Sequence, residues 1–138
     1  MTRRRSIVPL AAAALLLSGC SVGPEESGQP ATGQTLDVQA FADRVGQDGT
    51  IVLDVRTPQE YAGGHLPDAV NIDLAADDFA ERIEELELGA TYAVYCRTGN
   101  RSAEAMETML DGGFVDVAHL EGGITAWESA GRDVVSTR

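Results

Sequence analysis

The sequence predicts an α/β domain with a mostly parallel central sheet of about five strands and helices on both faces. Three observations lead there. Strand-like and helix-like segments alternate along most of the chain, which is the pattern of successive βα units. The clearest strand, Thr50-Ile51-Val52-Leu53-Asp54-Val55, is a near-continuous β-branched run rather than an apolar/polar alternation, as expected of a strand covered on both faces. Glycines at 89 and at 112–113 close the helical patterns before each new strand.

Taken in order, Asp37 can cap a helix over Val38–Val45. The strand at 50–55 follows, then a short helical turn at 58–62 opened by Pro58, and a short strand at 69–72. Asp77 and Asp78 open a helix running to Leu88, with Phe79, Ile83 and Leu86 on one face and Gly89 as its stop. The apolar run 92–95 is the next strand. Residues 102–110 form a helix with Ala103, Met106 and Leu110 turned inward. Residues 115–120 are the last strand, and 124–130 the last helix, which carries the only tryptophan, Trp127, as a core residue. Right-handed crossovers would put the loop after 92–95 at the carboxyl end of a central strand.

The N-terminus has a different logic. Arg3, Arg4 and Arg5 precede the apolar run 7–17, followed by Ser18-Gly19-Cys20. A basic start, a short apolar stretch and small residues before a cleavage point make a secretory signal, and the run falls short of the roughly 20 residues a bilayer span needs. Leu17-Ser18-Gly19-Cys20 resembles a bacterial lipobox, which implies a signal peptide over 1–19 and lipidation of Cys20. The alternative is an ordinary signal peptide cut nearby. Residues 20–35, rich in Ser, Gly, Pro and Gln, are expected to be a flexible tether, and the folded domain to span 36–138. The expected location is extracytoplasmic, lipid-anchored to the cell membrane.

Charge narrows the partners. The chain has 10 basic and 22 acidic residues, for a net charge of −12, and every base is arginine. Loss of 1–19 would leave it near −15. Such a surface argues against nucleic acid and anionic lipid, so contact with the membrane is expected only through the anchor. Against that background Arg97 and Arg101, bracketing one loop, form an isolated positive spot.

That loop, Cys96-Arg97-Thr98-Gly99-Asn100-Arg101-Ser102, joins a strand to a helix. A thiol there faces backbone N–H groups and a helix N-terminus, an anion cup that lowers a cysteine pKa from about 8.5. The expectation is an accessible thiolate at Cys96, ringed by the amides of 97–101. Gly99 allows the tight turn. Arg97 sits at the mouth to meet an anion, and Arg101 braces the far end. Thr98, Asn100 and Ser102 are short donors, Ser102 also a candidate helix cap. With Cys20 acylated, Cys96 would be the only thiol left, so no internal disulfide could form.

Three stretches carry a family resemblance. The run 53–72, from Leu53-Asp54-Val55-Arg56 through Gly64-His65-Leu66-Pro67 to Asn71-Ile72, is similar to the first signature of the rhodanese family. Residues 96–102 resemble its active-site loop, and Leu120-Glu121-Gly122-Gly123-Ile124-Thr125-Ala126-Trp127 its closing motif. The resemblance covers about 36–131. It implies a single-domain sulfurtransferase that moves a sulfane sulfur from a donor such as thiosulfate to cyanide, a thiol or a sulfur-accepting protein, through a Cys96 persulfide and with no cofactor. Residues 97–101 would bind the small anionic donor. Asp54 and Arg56 match the family's D-x-R and read as a supporting ion pair at the strand end, with Glu60 a further partner for Arg56. The glycine usual after Pro67 is Asp68 here, a residue that tolerates positive φ.

Other readings remain in play. Cys96 could be a packing residue; a Cys96–His119 dyad has no local signature. His65 reads as structural, in a turn, and His119 as a packing or surface residue. Two histidines without a second thiol give no basis for a metal centre. The loop is C-x₄-R, one residue shorter than the C-x₅-R of cysteine phosphatases, which favours a sulfur atom over a tetrahedral phosphate or arsenate. A sulfur carrier or binding module without turnover is the second hypothesis.

Overall fold

The computed structural model describes residues 31–137. The expected signal peptide, Cys20 and the tether up to residue 30 lie outside the described residues. Five strands, β1 (Thr32–Leu36), β2 (Thr50–Asp54), β3 (Val70–Asn71), β4 (Thr91–Tyr95) and β5 (Asp116–Leu120), alternate with five helices, α1 (Val38–Val45), α2 (Pro58–Gly63), α3 (Phe79–Glu84), α4 (Asn100–Asp111) and α5 (Gly123–Ser129). All four strand pairings are parallel, in the order β1-β5-β4-β2-β3. Because β4 is central, the loop that follows it opens at the middle of the sheet's carboxyl edge.

The period of two along each strand divides the core into two layers. Leu53, Tyr92 and Val94 face α3 and α4, packing with Phe79, Ile83, Ala105 and Met109. Val52, Ala93 and Tyr95 face the other way, against Phe41 of α1 and Ile124 and Trp127 of α5. Both faces are therefore covered, as the polarity of the strands predicts. Asp37 caps α1 through its side chain, which accepts from the Ala40 N–H at 2.8 Å.

Four local expectations need correction. The segment expected to be tether includes all of β1 but Leu36; β1 adds an edge strand in register from Thr32 opposite Asp116 to Leu36 opposite Leu120. Its side chains are exposed apart from the half-buried Leu36, so backbone pairing, which composition does not reveal, holds it. Helix α3 ends at Glu84 rather than Leu88, because the carbonyls of Glu87 and Leu88 accept from the Tyr92 hydroxyl and the Val115 N–H. Asp78, at its N-cap, makes no side-chain bond. On α4 the buried stripe is Ser102, Ala105 and Met109, one step around the helix from the expected set. Met106 and Leu110 are partly buried instead and lie where a side chain at Gly33 of β1 would be. Asp68 does adopt positive φ, at 61°.

Candidate active site

Cys96 follows directly on β4 and continues the face of Tyr92 and Val94, so its side chain points beneath the first turn of α4. Gly99 then turns the chain with φ 105° and serves as the N-cap of α4. The helix thus begins at Asn100, within the loop itself, and its unpaired first amides lie beside the sulfur. The Gly99 N–H donates to Cys96 Sγ at 3.1 Å. Burial is the largest single influence on the thiol and pushes its pKa up. Hydrogen bonds from the Ser102 hydroxyl and from the N–H groups of Ser102, Gly99 and Thr98 together outweigh it and leave the pKa below its ordinary value.

The expected accessible sulfur is not observed. Cys96 is 1% exposed and belongs to the α3/α4 core layer. The reason is geometric: the side chain inherits the inward direction of its strand face, and the loop amides close over it. Burial alone would describe a packing cysteine. The ring of donors and the lowered pKa are what such a residue lacks.

The other predicted residues separate into groups. Arg97, Thr98 and Asn100 are exposed around the loop, and Arg97 makes no side-chain ion pair among the described residues. Arg101 is half-buried and grips Glu60 with two bonds, Nη1 to Oε2 at 2.9 Å and Nη2 to Oε1 at 2.8 Å. Glu60 also closes the capping box of α2 with Thr57. Its pKa falls to about 2, first because of Arg101 and further through Thr57, against the upward push of burial. Arg101 therefore ties the loop to α2.

Arg56 pairs with Asp54, not with Glu60. Its Nη2 lies 2.6 Å from Asp54 Oδ2 and 2.7 Å from the Gly64 carbonyl. The Tyr95 hydroxyl donates to the same Asp54 oxygen at 2.6 Å and accepts from the Leu66 N–H. Burial, then Asp54, raise the Tyr95 pKa. This network joins the ends of β2 and β4 under the loop. Ser102 is fully buried and does not cap α4 with its side chain; its hydroxyl lies 3.0 Å from the Gly99 carbonyl and 3.2 Å from His119 Nδ1.

Two features escaped sequence reasoning. His119, expected to be a packing or surface residue, links Ser102 to Thr35 Oγ1, 3.0 Å from its Nε2. Gly123 lets the chain after β5 press on the loop: a Cβ there would lie 2.5 Å from the Cys96 and Arg97 carbonyl oxygens. Those carbonyls accept from the Ile124 and Thr125 N–H groups at 2.8 and 3.2 Å. With its carbonyls held outward, the loop turns amides toward the sulfur. The Gly122-Gly123 pair at a strand end was the available signal, whereas nothing local marks His119.

Comparison with known proteins bears on this arrangement. Residues 37–130 match the rhodanese-like domain family. A sulfurtransferase from Allochromatium vinosum is 30% identical over 102 residues, covering 73% of this chain and 94% of that protein. An uncharacterized protein of Synechocystis is 37% identical over 92 residues, covering 67% of this chain and only 50% of its own length. The crystal structure of a rhodanese-related protein from Thermoplasma volcanium superposes with a TM-score of 0.67 at 32% identity, covering 75% of this chain and 99% of that one.

Proposed function

The chain belongs to the rhodanese-like domain family, and on that premise we propose that it is a sulfurtransferase working through a Cys96 persulfide. The observation that carries this reading is the donor ring on one sulfur whose pKa is lowered in spite of burial. The thiolate attacks the outer sulfur of thiosulfate. The S–S bond of the donor breaks, sulfite leaves with the electron pair, and Cys96 carries a persulfide anion. Cyanide or a thiolate then takes the outer sulfur and restores the Cys96 thiolate. No general base is needed, because sulfite leaves as an anion. Arg97 supplies charge at the mouth for the anionic donor, and the amides hold the persulfide as they hold the thiolate.

Burial of Cys96 sets a condition: residues 97–100 must shift for a donor to reach the sulfur. That condition favours a second reading, a sulfur carrier that small donors charge and that hands its sulfur on only to a partner protein. Intact-mass measurement after thiosulfate treatment decides the first question. One added sulfur is expected on the wild type and none on Cys96→Ser; a wild-type thiol unmodified by several donors would defeat both readings. Thiocyanate production with cyanide separates them, since a carrier charges without turnover. We further propose that Cys20 is lipidated and anchors the domain outside the cytoplasm. Loss of membrane association in Cys20→Ser is the expected result, and unchanged fractionation would exclude the anchor.

A further inference from the structure

Behind the loop runs a chain of hydrogen-bonding groups of which sulfur transfer as described uses only the last, the Ser102 hydroxyl. It begins at Thr35 Oγ1 on β1, passes through both ring nitrogens of His119 on β5, and reaches the Ser102 hydroxyl in the first turn of α4. From there one oxygen faces both the Gly99 carbonyl and the Cys96 sulfur. Ser102 has a single hydroxyl proton and three groups that could accept it. Which one receives it depends on His119. Burial holds this imidazole's pKa below its ordinary value, against a smaller pull from Glu121, so at neutral pH the ring carries one N–H and one lone pair. A lone pair at Nδ1 would draw the Ser102 proton away from the sulfur. An N–H at Nδ1 donates to the Ser102 oxygen and leaves that proton for the loop. A Thr35 hydroxyl donating to Nε2 fixes the second arrangement.

We infer that His119, set by Thr35 as its Nδ1–H tautomer, is a positioning residue that aims the Ser102 hydroxyl at Cys96. When the thiol loses its proton, the hydroxyl turns from the Gly99 carbonyl to the sulfur, adding a fourth donor to the three amides. This inference rests on the sulfurtransferase reading for its purpose, but its test does not. The charged groups that bear on the chain are Glu121 beside His119 and Arg101 beside the sulfur, and both stay constant in the variants below.

The test is titration of the Cys96 thiolate by its ultraviolet absorbance in full-length protein, with the Cys96→Ser curve subtracted to remove Cys20 and the tyrosines. Ser102→Ala removes one hydrogen bond to a charged acceptor and should cut the thiolate fraction at a fixed pH roughly tenfold. His119→Leu should cut it by about threefold, and His119→Asn, which keeps a donor near Nδ1, should restore most of that loss. Thr35→Val lies at an exposed strand position that accepts valine, so it tests the far end without threatening the fold. A fall of about twofold is expected there, since it frees the tautomer without removing a donor. In the Ser102→Ala background neither His119→Leu nor Thr35→Val should have any further effect. A wild-type titration curve in both His119→Leu and Thr35→Val overturns the proposal, as does an effect that persists without the Ser102 hydroxyl. Failure of the persulfide mass test would remove the sulfurtransferase reading and leave these titrations valid.

Discussion

Two guanidinium–carboxylate pairs lie at the carboxyl edge of the sheet, and they differ in depth. The Asp54–Arg56 side chains are 0% and 6% exposed, and a tyrosine hydroxyl and a backbone carbonyl complete their bonding. The Glu60–Arg101 side chains are 29% and 32% exposed, although their geometry is also two-pronged. A pair in water contributes little net stability, whereas a pair removed from water cannot lose one member without stranding the other's charge. The inner pair is therefore part of the scaffold. The outer one can position the loop at small cost to the fold.

Asp54→Ala should have the largest effect, about 3–5 kcal/mol lost in denaturant unfolding, because Arg56 is left buried without its carboxylate. A loss under about 1 kcal/mol would erase the distinction between the pairs. Arg101→Ala should cost less than about 1 kcal/mol of stability, yet lower sulfur transfer about tenfold through a displaced loop. Equal damage to folding and transfer would mean that the outer pair is scaffold too. The smallest effect concerns acid. Glu60 has a folded pKa of about 2 against 4.5 for the free side chain, so its contribution is complete above pH 4.5 and fades as pH falls toward 2. The melting temperatures of wild type and Glu60→Gln should converge over that interval; a gap that persists at its lower end would show that the carboxylate charge is not responsible.

Much of this was legible in residue order. The layered α/β plan follows from strand polarity and from glycine and aspartate punctuation, and Asp37, Gly99 and Asp68 do what their chemistry predicts. What stayed hidden depends on contacts distant in sequence. Strand β1 exists because β5 offers it a backbone edge, 84 positions later, and its own side chains carry little signal. Glu60 was expected beside Arg56, and its pairing with Arg101 could not be read without knowing where α2 lies. Nor could the depth of Cys96 be read from a polar loop, since it depends on the strand face that precedes the loop.

The outward hold that Ile124 and Thr125 exert on the carbonyls of Cys96 and Arg97 has a consequence for biosynthesis. The segment that shapes the cup is made after the sulfur it acts on, and β5, which carries it, sits between the first strand and the central one. Pairings so remote along the chain form late in folding. A nascent polypeptide that has passed Cys96 but not Thr125 therefore lacks the bonds that hold the two carbonyls outward, and the cup is completed only once that segment is made. A protease nick between β5 and α5 would free those carbonyls again while cutting no strand of the sheet.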